Sequence, residues 1–207
     1  MFALVDKSDN SITKMLNGNR GITIGENQYP KAIFTLWTES ERNAINIYEV
    51  TIDDSKRKNE EWYVNTNITY SFDGTNATGS YGDATAKAHA DTTWTQQQID
   101  DGDAPDGADT DTVAIEGLKT ILIRQVKNNV ERELNKTDWY ITRKSEKNTA
   151  IPSAITTHRD AVRTKQAAME TAITNASDTP ALETLYTYTR QEDGSTTRPL
   201  GEIPTLE

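Results

Sequence analysis

The chain has 207 residues, a formal charge of −10, 34% hydrophobic residues and no cysteine. That length allows one domain or two small ones around a thin core, and no apolar run approaches the ~20 residues a bilayer demands. Absence of cysteine removes disulfides, thiolate catalysis and thiolate-bound zinc or iron–sulfur centres, while the acidic balance argues against nucleic-acid phosphates as a partner.

Residues 1–82 read as β-rich. Met1-Phe-Ala-Leu-Val5 is followed at once by Asp6, Lys7 and Asp9, so a strand is expected there and no signal-peptide apolar stretch. Asn17-Gly18-Asn19-Arg20-Gly21 tolerates positive φ and leads into a second short run, Ile22-Thr-Ile24. Thr38 and Glu41 have the spacing of a capping box, which predicts a helix over 39–45 ended by Asn46 in a left-handed conformation and followed by a strand over 47–52. From Trp62 to Phe72 the β-branched and aromatic residues predict one continuous strand, with Trp62, Val64, Ile68, Tyr70 and Phe72 on its inner side. Asp73-Gly74 marks a hairpin turn into the next strand.

Beyond Asp83 the period changes. Residues 84–99, rich in Ala and Gln, are expected to form a helix. Asp100 to Asp111 holds six aspartates, two glycines and a proline in twelve residues, an acidic loop carrying much of the net charge. Ile115, Leu118, Leu122, Val126, Val130 and Leu134 recur at helical spacing, predicting a helix over 113–134. Trp139-Tyr-Ile141 reads as an extended piece in an irregular connection. A second helix runs from Ser153 to about Asn175, with Ile155, Val162, Met169 and Ile173 on its stripe, and a third opens at the Thr179-Pro180 cap. The expected class is α+β: a β-rich domain with a trailing helix over 1–99, the acidic loop over 100–111, a helical domain over 112–190, and a polar tail over 191–207 that does not fold by itself.

Little in the sequence points to catalysis. His89 and His158 have no second histidine four residues on, and glycine-rich nucleotide loops and nucleophile elbows are missing. Abundant carboxylates are the sole basis for a hydrolase or lyase reading, and solvated acids account for them as well. The aspartate loop invites a hard cation, with Asp101, Asp103 and Asp106 as weak candidate ligands. EF-hand spacing fails, however, because counting from Asp101 puts Pro105 at the fifth position, Asp106 where glycine is wanted and Thr112 where a glutamate is wanted. No cofactor is implied. The aromatics on strands read as core, whereas Trp139 lies between two helices, where a ring is either pinned under a loop or offered to a partner.

Asp138-Trp139-Tyr140, a basic residue at Arg143, Ile151-Pro152, and Arg159-x-Ala161-Val162-Arg163 in an amphipathic helix together resemble the C-terminal pattern of tail fibre assembly proteins of tailed bacteriophages. Tyr29-Pro30, Trp37-Thr38, Glu41-Arg42 and the step from Ile45-Asn46-Ile47 to Val50 resemble the amino-terminal segment of the same group. Here His158 stands where a tyrosine commonly precedes the arginine, and Asn46 where glycine is usual. The resemblance implies a non-enzymatic protein that holds or caps the receptor-binding fibre during assembly in the host cytoplasm. The alternative is a permanent virion component, such as a tail, fibre or capsid-associated subunit. A tail fibre or other tail protein would be the partner, with self-association as a further option and with neither nucleic acid nor membrane involved. The residues expected to face the partner are Trp139, Tyr140, Arg143, Arg159 and Arg163, since rigid aromatics and arginines are the side chains enriched at binding hot spots.

Overall fold

The computed structural model describes residues 1–206. It divides into two units, residues 1–85 and 86–207, and the fold is α+β, with strands concentrated in the first and helices in the second.

In the first unit a five-stranded sheet is built on β1 (Phe2–Asp6), which pairs antiparallel with β2 (Ser11–Leu16). A hairpin, β3 (Ile22–Ile24) and β4 (Asn27–Tyr29), turns at Gly25 and leads through Pro30 into α1 (Ile33–Leu36). Next comes α2 (Glu39–Ala44), opened by the expected capping box: Glu41 accepts from the Thr38 amide at 2.7 Å, and Thr38 Oγ1 accepts from the Glu41 amide at 3.3 Å. Asn46 takes the left-handed conformation (φ 62°), and its carbonyl accepts from Val5 N at 3.0 Å as the chain enters β5 (Ile47–Asp53). β5 lies antiparallel to β1, with Phe2 opposite Glu49.

Both faces of β1 are covered, which explains its unbroken apolar run. Ala3, Val5, Tyr48 and Val50 meet Phe72 and Ala77 on one face, while Phe2, Leu16 and Ile47 meet Ile33 and Phe34 of α1 on the other. Tyr29 and Trp37, the aromatics flanking α1, pack edge to face with centroids 6.0 Å apart.

The strand expected over 62–72 is divided. It forms β6 (Tyr63–Val64) and β7 (Thr69–Phe72), and Val64 is exposed, so the alternation fails at its first step. Asn65 explains the break: its side-chain amide accepts from Lys58 N at 2.9 Å and donates to Lys58 O at 2.8 Å, while Thr66 Oγ1 accepts from Gly82 N at 2.6 Å. Side chains that bond backbone outside the ladder offer the chain an alternative to strand pairing. The Asp73-Gly74 hairpin is as expected, joining β7 to β8 (Ala77–Ser80), which runs parallel to β5 and completes the order β2-β1-β5-β8-β7.

Residues 84–99 do not form one helix. They contain β9 (Thr85–Ala86), β10 (Thr92–Thr93) and only the start of α3 (Gln96–Asp100), capped by Thr95 and Gln98. Their backbone is used elsewhere in the second unit: Ala88 and His89 carbonyls accept from Leu118 N and Lys119 N at 2.9 and 3.0 Å, and β10 pairs with β11 (Val113–Ile115). The helix expected over 113–134 is therefore shortened at its start, and α4 covers Leu118–Asn135. Asp91 supplies the missing cap, accepting from Gly117 N at 2.7 Å and from the Thr120 hydroxyl at 2.8 Å. Gly117 is required by this approach, since a Cβ there would lie 2.2 Å from the Ala90 backbone.

Leu118, Leu122, Val126 and Val130 of α4 are buried against α6 (Ser153–Asn175), which contributes Ile155, Val162, Met169 and Ile173. Between them lies α5 (Asp138–Lys147), a helix where an extended piece was expected at Trp139-Tyr-Ile141. Asp138 in its first turn, and Lys144 and Lys147 in its last, complement the helix dipole, and Asn148 closes it at φ 51°. Helix α7 (Thr179–Tyr186) is capped by Asp178, not by Thr179, whose hydroxyl donates to Lys87 O at 2.6 Å.

The tail does not stand free. β12 (Thr189–Arg190) and β13 (Thr196–Thr197) form a small hairpin, Leu200 is buried, and its carbonyl accepts from Lys165 Nζ at 2.7 Å. Among the described residues, no helix is long and apolar enough to cross a membrane.

Candidate partner-binding site

The turn from α4 through α5 into α6 brings together four of the five residues expected to face a partner, and divides them by role. Arg159 points inward. It is 8% exposed, and its Nη1 donates to Leu134 O at 2.8 Å, Thr137 Oγ1 at 2.6 Å and Asp138 Oδ1 at 2.8 Å. This one guanidinium satisfies a carbonyl at the end of α4, the buried Thr137 between the helices, and the first residue of α5, so it fixes the angle at which α5 leaves. The expectation that Arg159 pairs with a partner is corrected by this burial. Four-residue spacing put Arg159 and Arg163 on one side of α6, but that side is half covered: Arg163 is exposed and lies 3.6 Å from Asp160 of its own helix.

Beside Arg159, His158 Nε2 lies 3.1 Å from Glu133 Oε1, and both side chains are buried. Glu133 also accepts from Lys136 Nζ and, at 3.0 Å, from the backbone of Leu206, tying the tail to α4. The Lys136 hydrogen bond, aided by the Leu206 amide, holds the Glu133 carboxyl below the ordinary glutamate range against the opposing effect of burial.

Trp139 lies on the exposed side of α5, with Tyr140 and Arg143 half-buried beside it. Trp139 is 52% exposed, and its ring lies against that of Tyr140 with centroids 3.8 Å apart. The Arg143 guanidinium sits 4.6 Å over the Trp139 ring and 5.3 Å over the Tyr140 ring. No residue of α5 is buried. Arg143 Nε is nevertheless enclosed by its neighbours without a hydrogen-bond acceptor, an arrangement that costs about 1–3 kcal/mol for such a group. Isolated helices of this length are marginal in water, so α5 depends on its anchor at Arg159 while holding its aromatic face outward.

Lys144 and Lys147 were missed at the sequence level, although both follow Tyr140 and Arg143 at the four-residue spacing that identifies one helix face. The spacing carried no meaning while the segment was read as extended.

Elsewhere the geometry offers less. A cavity of about 590 Å³ in the first unit is lined by residues 14–23 and Phe34, with no histidine or carboxylate among them. Among the described residues, no three His, Asp or Glu side chains gather in a way that could hold a metal ion. In the acidic loop, Asp101 accepts from Gln97 at 2.8 Å, and Asp103 and Asp106 are exposed. Comparison with family models, curated proteins and solved structures finds no match.

Proposed function

We propose that this protein is a non-enzymatic, bacteriophage tail-associated binding protein that engages a tail fibre or another tail protein during assembly, using the outer face of α5. The observation that carries the reading is the stacked Trp139, Tyr140 and Arg143 on a helix with no buried residue. Rigid aromatic and arginine area held outward by a separate internal anchor is what a hot spot requires, because little entropy remains to be lost on binding. Trp139-Tyr140 and the buried Arg159 also belong to the pattern that resembles the fibre assembly proteins. In this reading Arg159 positions the helix and the aromatic pair meets the partner. The expected site of action is the host cytoplasm while particles are being built.

Coexpression of the tagged chain with tail fibre proteins of tailed bacteriophages tests the proposal. Recovery of a soluble complex is the expected outcome, and failure of the fibre to copurify in any tested pairing would contradict it. Mass spectrometry of purified particles separates the assembly role from the alternative: a stoichiometric amount in the particle would make the protein a standing virion subunit, and its absence would leave a factor that acts only before completion.

A further inference from the structure

The charge on α5 is one-sided. Arg159 already neutralises Asp138, leaving Arg143, Lys144 and Lys147 against the single carboxylate of Glu146, in a chain whose net charge is −10. At 3.6 residues per turn, Tyr140, Arg143, Lys144 and Lys147 fall on one face, and Trp139 borders it. Among the described residues Arg143 has neither an ion-pair nor a hydrogen-bond partner. Glu146 is three residues away on the same helix and does not pair with it, and only the two rings offset the Arg143 charge. With Nε enclosed, the guanidinium packed over the two rings keeps its terminal Nη edge for planar acceptors, and its stacking limits the rotamer freedom left to lose.

Resting on the proposed function, we infer that α5 takes an acidic segment of its protein partner, with a partner carboxylate meeting the edge of Arg143, an apolar side chain on the Trp139 ring, and further acids opposite Lys144 and Lys147. Charge complementarity selects this occupant. An apolar peptide would strip water from three cations without compensation, and a basic one would be repelled.

The test uses the full-length ¹⁵N-labelled protein and two synthetic peptides of the same length, one alternating Glu and Leu, the other alternating Gln and Leu. The side-chain Nε–H signal of Arg143 and the indole N–H signal of Trp139 should shift with the Glu peptide alone, and the shift should fall away with added salt. Arg143→Lys, which keeps the charge and loses the planar fork, should weaken the Glu peptide roughly tenfold or more, and Lys147→Glu should weaken it in an unchanged fold. Equal response to the Gln peptide, an unmoved Arg143 signal at millimolar Glu peptide, or full binding by Arg143→Lys would overturn the inference. So would stronger displacement by a single-stranded oligothymidylate, which would indicate nucleic acid, or signals that move with protein concentration alone as the particle doubles in mass, which would place a second copy on α5. Loss of fibre capture in Trp139→Ala with normal capture in Arg143→Gln would defeat this inference alone. Normal capture in both variants would remove the proposed function beneath it.

Discussion

Arg159 and Trp139 show how far two residues of one motif can differ in what they do. Arg159 is buried with three acceptors, so Arg159→Leu removes three charge-assisted hydrogen bonds that join α4, Thr137 and α5; we expect about 2–4 kcal/mol of lost stability in urea unfolding. Trp139 is half exposed and stacks only on its neighbours in α5, so Trp139→Ala should cost less than ~1.5 kcal/mol, the size of an aromatic pair contact. The reverse ranking would mean that the ring supports the fold and the arginine does not. Glu133 makes a third expectation, read against pH. Its carboxyl is held below the ordinary glutamate value of 4.5, so its contribution is fully present above that value and disappears as the pH falls through the lower, folded one. Glu133→Gln should therefore be less stable than the native chain at neutral pH by roughly 1–3 kcal/mol, with the two stability curves converging in acid. Curves that stay parallel down to acid would show that the charge on Glu133 is irrelevant. At this scale the sequence identified the residues of the motif but not their directions, because four-residue spacing relates Arg159 to Arg163 without saying that the C-terminal end of α4 covers one of them.

Elements were legible where a local signal was complete. The Thr38 and Glu41 box, the left-handed Asn46 and the Asp73-Gly74 turn each rest on residues within a few positions of one another, and all three are present. Asn46 allows a sharp check of the second. Left-handed backbone costs an ordinary side chain about 1–2 kcal/mol, so Asn46→Val should lower thermal stability by that amount while Asn46→Gly keeps or raises it. Equal stability of both variants would show that the turn tolerates another conformation. Elements were illegible where the deciding partner is distant. The cap of α4 is Asp91, 26 residues before Gly117, and residues 88–89 serve that helix instead of forming one. Asn65 divides a strand by bonding Lys58. Helix α5 was misread for a different reason: Trp139-Tyr140-Ile141 has strand propensity, and the Arg159 anchor beneath it overrides that preference.

Across the whole molecule the α+β class and the order of β-rich then helical regions follow from the change of hydrophobic period near residue 83, from two to about 3.6. The division into two units falls at residues 85 and 86, and residues 88–93 bond to α4 and β11 of the second unit. The polar tail gains its order from the second unit, through Leu200 and through the Leu206 amide on Glu133. Nothing in residues 191–207 taken alone could announce this. The second unit leaves α5 without a buried residue, and the function proposed above depends on that helix. Its most direct test is capture of the coexpressed fibre by the full-length chain carrying Trp139→Ala and Arg143→Ala together, beside the native chain, with thermal melts of both. A melting temperature within a few degrees of native and a loss of capture of a hundredfold or more, the scale of two hot-spot residues, is the predicted result. A folded double variant that captures the fibre as well as the native chain does would contradict the account.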